Sequence, residues 1–531
     1  MHNSEFDFIV VGAGSAGCVL ANRLSADPSN RVLLIEAGGA DRSPYIHMPA
    51  GLPKLAANLA LNWNYYTEPQ QGLAGRKLWW PRGKVLGGSS SINAMCYIRG
   101  QREDYDGWAR QPGLEDWSFD QVLPWFLESE DNSRGEDVFH DTGGPLGVSD
   151  LLHSHELSHA FIKAATEHGL PANGDFNGRE QFGAGLYQVT QRNGRRCSTA
   201  SGFLKPARDR RNLSVVTNAL VERVLITKGR ASGVRFRLGN QLIDVHAARE
   251  VAICGGAINS PQLLMLSGIG SARDLEQHGI EVVLELPGVG RNLHDHLDIC
   301  TLVETRGINT YDLNFVQEAL VGIEYLFTGK GVGSTNAAEA GGFAMSSRAE
   351  DGRPDIQLHF VPALLDDHGR NKLGMQGMTI HACCLQPRSR GGVTLASSDP
   401  AAAPRIDPRY LSDDRDLPVM RDCVELSRSI FAQQAFAPYR HREVFPGDDV
   451  TTVEGIDRFI RQKAETVYHP VGSCRMGSDD MAVVDGHLRL RGIDGLRVVD
   501  ASVMPTIPSG NTNAPVIMIA ERAAAWMLDG N

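Results

Sequence analysis

The chain has no run of 18 apolar residues, so no part of it reads as a membrane span. It has no C-x-x-C, and its nine cysteines are odd in number and dispersed. That pattern argues against a disulfide scaffold and fits a reducing compartment. Positive charge is in deficit: 52 Lys and Arg against 63 Asp and Glu leave a formal charge of −11. Such a chain has no overall field to draw in nucleic acid, and none is expected as a partner. The basic pieces Arg195-Arg196 and Arg208-Asp209-Arg210-Arg211 are short and read as solvated or phosphate-facing surface. Tandem repeats and low-complexity tracts are missing too. The first strand pattern begins near Phe6, so no signal or transit peptide is expected ahead of it. These exclusions point to a cytoplasmic location, with peripheral attachment at the inner membrane face as the alternative.

Glycine, in contrast, is plentiful: 57 residues, grouped in runs such as VGAGSAG, VLGGSSS and CGGAINS. Grouped glycines suit tight cofactor-cradling turns better than flexible linkers. At 531 residues the chain exceeds the size at which one core keeps growing, so two domains are expected.

Phe8-Ile9-Val10-Val11 is a β-branched apolar run that predicts a buried strand. It enters Gly12-Ala13-Gly14-Ser15-Ala16-Gly17, then a helical pattern, CVLANRL, then a second strand pattern from Arg31 to Ile35 that ends in Glu36. Strand, G-x-G-x-x-G, helix, strand and acid within one short unit form the dinucleotide fingerprint. Gly12 permits the tight turn, Gly14 the close approach of a pyrophosphate, and Gly17 the packing of helix on sheet. The helix N-terminus offers free N–H groups to phosphate. Glu36 accepts from a ribose diol and would repel a 2′-phosphate, which argues against NADP. The fingerprint does not separate FAD from NAD.

Three further clusters bear on that choice. Gly83 to Ala94 (GKVLGGSSSINA) pairs glycines with serines and Asn93. Gly256 to Gly270 (GAINSPQLLMLSGIG) follows the apolar run Val251-Ala252-Ile253-Cys254 and is predicted to become helical at Pro261, a good first-turn residue. Leu496-Arg497-Val498-Val499-Asp500-Ala501-Ser502 reads as a strand ending in an acid. Gly510-Asn511-Thr512-Asn513-Ala514-Pro515 then opens a last helix, whose dipole would favour the negative charge of a reduced flavin.

The second and third clusters resemble the two sequence signatures of the glucose–methanol–choline (GMC) oxidoreductase family, and GVGRNLHDHL at 288–297 resembles a further family segment. The likeness runs from Phe6 to the last helix and is nearest to the choline-dehydrogenase-like, primary-alcohol branch. It implies an α/β (α+β overall) fold: a Rossmann-type FAD-binding domain and a substrate domain built on an antiparallel sheet. Both would be discontinuous, with 1–150, 200–300 and 475–531 binding FAD and 151–199 and 301–474 binding substrate. It further implies that Gly12, Gly14, Ser15, Gly17, Glu36 and Ala37 serve the AMP half of FAD. Val85, Gly88, Ser89, Asn93 and Ala94 would line the flavin, and Val221 would touch adenine through its backbone. Asp500 and Ala501 would hold the pyrophosphate–ribityl region, with Asn511 and Thr512 beside the flavin. Some family members bond the flavin covalently through a histidine in the second cluster. Ile92 stands there in this chain, so FAD is expected to be non-covalent.

Oxidising an alcohol needs a base near neutral pKa to take the hydroxyl proton as hydride leaves. The resemblance places that base at His469, in Thr466-Val467-Tyr468-His469-Pro470-Val471-Gly472, and its partner at Asn511, which can donate an amide N–H but cannot act as a base. Tyr468 adjoins the base and is assigned to the substrate pocket. Most of the 17 histidines are expected to be structural. His294-Asp295-His296 has a superficial metal-pair look but no third ligand at metal-site spacing; it is expected to pack beside the cofactor, with no metal bound. His153, His155 and His159 read as an exposed polar face. Trp63-Asn64-Tyr65-Tyr66, Phe343 and Phe360 read as core aromatics.

The leading expectation is FAD-dependent oxidation of a primary alcohol to an aldehyde, with electrons passing to a quinone-type or other acceptor. The alternative is an alcohol oxidase that uses molecular oxygen and releases hydrogen peroxide. More distant readings are a cyanohydrin lyase on the same fold and an NAD-linked reductase using the first motif alone.

Overall fold

A computed structural model of the protein describes residues 5–56 and 58–530. Residues 1–4, 57 and 531, which belong to the expected FAD-binding segments, lie outside the described residues. Two seven-stranded sheets organise the chain.

The first sheet runs in the order Leu213–Val216, Val32–Ile35, Glu5–Val11, Gln241–Ile253, Arg230–Leu238, Ala219–Thr227, with Leu496–Val498 also paired to Gln241–Ile253. Phe8 to Val11 pair in parallel with Val32 to Ile35 on one side and with Glu250 to Ile253 on the other. This is why these segments read as unbroken apolar runs: helices cover a parallel sheet on both faces. Gln241–Ile253 serves two environments. Its first half pairs antiparallel with Arg230–Leu238 and alternates buried and exposed, and its last three residues are fully buried beside Glu5–Val11 and Leu496–Val498.

The second sheet is antiparallel throughout: Arg440–Phe445, Leu297–Thr305, Gly377–Cys384, Ile356–Val361, Ala340–Ala344, Gly183–Leu186, with Glu465–Thr466 added to Leu297–Thr305. Its register sets Cys300, His381 and His359 side by side across three strands. A separate apolar core supports each sheet; Phe360 belongs to the core under the second sheet and Phe343 to a smaller cluster beside it. All nine cysteines are free thiols, and eight of them are buried. Among the described residues no helix is long and apolar enough to cross a membrane.

Two sequence expectations are corrected. The third cluster becomes helical at Gly256, not at Pro261, and Pro261 lies inside the helix Gly256–Leu266. Proline leaves a carbonyl one turn back without its amide partner. Here the hydroxyl of Ser473 donates to Ala257 O at 2.6 Å and takes the missing amide's place. Arg196, read as surface, is 3% exposed. Its guanidinium donates to Ile46 O, Ser90 O, and both the carbonyl and side-chain oxygen of Asn93, so it braces the second glycine cluster from behind. Burial lowers its pKa to about 9.

Candidate active site

One cavity of about 870 Å³ opens off the carboxyl ends of the parallel strands, at Val11, Ile35 and Cys254, and extends to the second sheet. Open α/β sheets bind ligands at this edge, and the volume is at the upper end of the roughly 300–1,000 Å³ found for ligand sites. Gly12, Gly14, Ser15, Glu36, Ala37 and Val221 line one end, Gly88, Ser89, Asn93 and Ala94 the middle, and Asp500, Ala501, Asn511, Thr512, Tyr468 and His469 the rest. Two proposed contacts lie outside it. Gly17 faces the turn, where an added Cβ would meet Gly12 O at 1.8 Å. Val85 is fully buried in a small cluster with Ile46, Leu55 and Ile92.

The glycine turn matches a phosphate cradle. Gly12 sits at φ +99°, and a side chain there would strike Cys254 O, whereas Gly14 has nothing within 4 Å of where a Cβ would stand. A Cβ on Gly88 would come within 2.7 Å of Gly14 Cα, so the first and second clusters need each other's glycines to approach. The helices Ser15–Leu24 and Asn513–Asp529 both start at the cavity without a side-chain cap, leaving first-turn N–H groups for a ligand. Helices beginning at Ala272, Phe315 and Val453 are capped by Ser271, Asn314 and Thr452. Glu36 accepts from Ala13 N and Gly38 N, both at 2.8 Å, which ties the acid to the turn. Asp500 spends its carboxylate on Gly256 N, Ser260 Oγ and Ser502 N. It therefore joins the third and fourth clusters.

At the far end His469 follows Tyr468, whose φ of +66° puts a non-glycine residue in the left-handed region. Arg82 donates to Tyr468 O at 2.7 Å, and Asp295 accepts from His469 N at 2.7 Å and from the hydroxyls of Thr466 and Tyr410. These bonds hold the strained turn. The ring of His469 has its own partners. His296 Nε2 faces Leu385 O at 3.1 Å, and a carbonyl only accepts, so this nitrogen carries the proton. Burial lowers the His296 pKa to about 3, so its Nδ1 is a bare acceptor, 3.0 Å from His469 Nδ1. His469 therefore donates from Nδ1 and presents an unprotonated Nε2 to the cavity. Asn511 Nδ2 lies 3.2 Å from that Nε2, its orientation fixed by Gln357 Nε2 donating to Asn511 Oδ1 at 3.0 Å. Burial, then the neighbours His296, His359 and Arg82, hold the His469 pKa well below the usual imidazole value.

His294-Asp295-His296 does not face the cavity; it stands behind His469. Both nitrogens of His294 are used, by Asn292 O at 2.7 Å and Ile507 N at 2.9 Å, which leaves it no lone pair for a metal. His155 caps the helix Glu156–His168 by accepting from Leu157 N. Trp63 lines the cavity, and Tyr65 is buried with its hydroxyl accepting from Asn259.

Three cavity histidines carry no motif and were missed: His359, His368 and His381. His381 Nδ1 lies 2.7 Å from Asp298 Oδ2 and 3.0 Å from Cys300 Sγ; among the described residues this is the one group that gathers three metal-type donors. His368 pairs with Glu465 at 2.9 Å and its pKa is raised against the opposing pull of burial. Burial takes His359 down to about 4. For His359 and His381 the available signal was a histidine inside the otherwise mostly apolar strand patterns IQLHFV and MTIHACC, since a buried polar residue is the informative exception; His368, in a turn, had none.

The cradle, the uncapped helix ends and the acid match a flavin dinucleotide, and the comparisons agree. The N-terminal and C-terminal models of the GMC oxidoreductase family match residues 6–298 and 387–520. The chain belongs to the GMC oxidoreductase family. It is 49% identical over 525 residues to an alcohol dehydrogenase [acceptor] of Pseudomonas putida, covering 98% of this chain and 95% of that one. It is 46% identical to the mitochondrial choline dehydrogenase of Mus musculus, over 98% of this chain and 89% of the relative. Among solved structures, pyridoxine 4-oxidase from Mesorbium loti superposes with a TM-score of 0.89 at 34% identity over 98% of both chains. FAD is therefore the cofactor of this chain, an oxidoreductase that acts on the CH–OH group of its donors. Ile92, 8% exposed and lining the cavity in the second glycine cluster, has a hydrocarbon side chain with no nucleophile to bond to it.

Proposed function

We propose that the protein oxidises a primary alcohol to the aldehyde, with His469 as the base. The observation that carries this reading is the tautomer chain Leu385 O, His296, His469, which leaves Nε2 of His469 unprotonated and aimed into the cavity. Bound FAD supplies the hydride acceptor. Nε2 takes the hydroxyl proton, Asn511 steadies the oxygen through its amide N–H, and Asp295 positions the base through its backbone. Gly12, Gly14, Ser15, Glu36, Ala37 and Val221 hold the AMP half in this reading. Gly88, Ser89, Asn93, Ala94, Asp500, Ala501 and Thr512 hold the rest, and Tyr468 borders the substrate. Gly17 and Val85 support the cradle from behind. The division in this reading is discontinuous, with 1–150, 200–300 and 475–531 around FAD and 151–199 and 301–474 around substrate; the strands of the first sheet fall in the former set, and those of the second, apart from Leu297–Thr305 which crosses residue 300, in the latter.

Electrons pass to a quinone-type or similar acceptor, from a protein in the cytoplasm resting against the membrane. The likeness to a relative named as an alcohol dehydrogenase [acceptor], at 49% identity, supports an acceptor-linked reaction. Direct use of oxygen is the second reading, supported by the likeness to pyridoxine 4-oxidase. The test is anaerobic mixing of the yellow holoenzyme with benzylic, furanic and aliphatic alcohols and choline. Bleaching of the flavin band is expected with at least one, and the rate at which air restores colour separates the two acceptors. His469→Ala is expected to slow bleaching by about 10²- to 10⁴-fold, the usual contribution of a general base. Bleaching at the wild-type rate would remove His469 from this role.

A further inference from the structure

The helix Phe315–Thr328 is well made and oddly faced. Asn314 and Gln317 form a capping box at its start, Gly329 closes it in the left-handed region, and Tyr325 is its one buried side chain. Phe315 is 83% exposed, Val316 65%, Leu320 60%, Ile323 52%, Leu326 77% and Phe327 87%. At about 100° per residue these six fall on one arc of roughly 140°. Gln317, Glu324 and Thr328 occupy the next arc, the inner side, with Glu318, Val321 and Gly322, lines the cavity, and Phe315 and Ala319 carry the apolar arc onto the cavity's edge. So one element is both a wall of the active-site cavity and a bare apolar ridge.

A soluble surface rarely carries such a contiguous patch without a partner. A second copy of the chain is a poor fit. Fourteen residues give a ridge about 21 Å long, presenting on the order of a few hundred Å² where a stable interface needs about 800 Å² per partner. A lipid surface needs only one such face, seated about 5–10 Å deep at the acyl boundary. The exposed cations at its rim fit anionic headgroups, although the chain as a whole is acidic. Lys54 and Lys372 lie 2.9 and 3.9 Å from Glu318, compensating that carboxylate, and Lys330 follows the helix directly. Among the described residues Glu324, the other acid of the helix, makes no ion pair, and it lies on the polar arc. We propose that Phe315–Thr328 seats this protein on an anionic bilayer, with the cavity wall turned inward and the apolar arc in the lipid. The inference deepens the acceptor reading above and rests on it: a cavity walled by a lipid-seated helix is reached by apolar acceptors dissolved in the bilayer.

The test uses holoenzyme and vesicles of phosphatidylethanolamine and phosphatidylglycerol in a flotation gradient. Wild type is expected to float with the vesicles. The triple variant Leu320→Gln, Ile323→Gln, Phe327→Gln, whose changes face away from the cavity, is expected to partition at least tenfold less. Its alcohol-dependent reduction of a water-soluble dye is expected to stay within twofold of wild type, which also shows that it folds. Reduction of a long-chain quinone embedded in the vesicles is expected to fall at least tenfold. Wild type that stays at the bottom, a variant that floats equally, or a micromolar dimer that the variant dissolves would each overturn the proposal. If no alcohol reduces the dye, the acceptor reading fails by itself, and flotation still decides whether the helix binds lipid.

Discussion

His469 and His368 line the same cavity, yet their surroundings move their pKa values in opposite directions. His368 has a carboxylate against its ring, Glu465 at 2.9 Å, and its pKa rises above the ordinary 6.5. His469 also has a carboxylate beside it, but Asp295 accepts from the backbone amide, and the ring meets another imidazole instead. Its pKa falls well below 6.5. A neighbouring acid does not by itself make a histidine cationic; the atom it bonds decides. The cavity thereby holds one imidazole, His469, whose neutral form is favoured and another, His368, whose protonated form is favoured, packed on Tyr468 at 4.9 Å between ring centroids.

The sharpest way to break this contrast is acid. Buried neutral imidazoles are stabilising above their unfolded pKa and lose that contribution as pH falls toward the folded value. For His296 the window runs from 6.5 down to about 3, for His359 from 6.5 to about 4, and for His469 from 6.5 to well below it. At pH 5 His296 and His359 are each expected to remove about 2 kcal/mol, since one pH unit is worth about 1.4, and His469 acts in the same direction. Urea unfolding of the holoenzyme at pH 7 and pH 5 measures the sum; equal stabilities would mean these rings are not buried neutral.

A smaller effect tests the other member. His368 has its pKa raised, so its pairing stabilises fully below 6.5 and is lost as pH rises through the folded value. Glu465→Gln, which breaks a mostly buried pair, is expected to lower stability by about 3 kcal/mol at pH 6 and by less at pH 9. A loss that does not shrink at high pH would assign Glu465's role to Arg76, 3.6 Å away, and not to His368.

The smallest change converts one environment into the other. His296→Asp places a carboxylate near His469 Nδ1 and is expected to raise the acid limb of kcat/KM by about one pH unit or more. If the limb stays where it is in wild type, the neutral neighbour is not what keeps His469 unprotonated.

The parts legible in the sequence were those written locally. Strand, turn, helix and acid from Glu5 to Glu36 lie within one stretch of chain; side chains on Gly12 and Gly17 would strike Cys254 O and Gly12 O, while Gly14 faces open space. The proposed base was legible through its segment and resemblance. Its support was not: the His296–His469 contact spans 173 residues, and that between Gln357 and Asn511 spans 154. No period or motif encodes such pairs; only strand register and loop path bring them together. Cys300, His381 and His359 show the same limit, for they become neighbours by cross-strand pairing. The start of the Gly256–Leu266 helix was misplaced because proline was read as a beginning, when a hydroxyl from elsewhere made it tolerable inside.

That hydroxyl belongs to Ser473, four residues beyond His469 and fully buried. The notch Pro261 leaves in the helix's bonding ladder acts as a keyway, and the chain that carries the base holds the key. Sliding the Thr466–Cys474 segment along the helix by even one residue would leave Ala257 O bare in the interior, where an unmatched carbonyl is costly. The segment that carries the proposed base is thus keyed to the Gly256–Leu266 helix in addition to its bonds with Asp295 and Arg82, and Ser473→Ala would remove that key while leaving every group proposed to touch substrate in place.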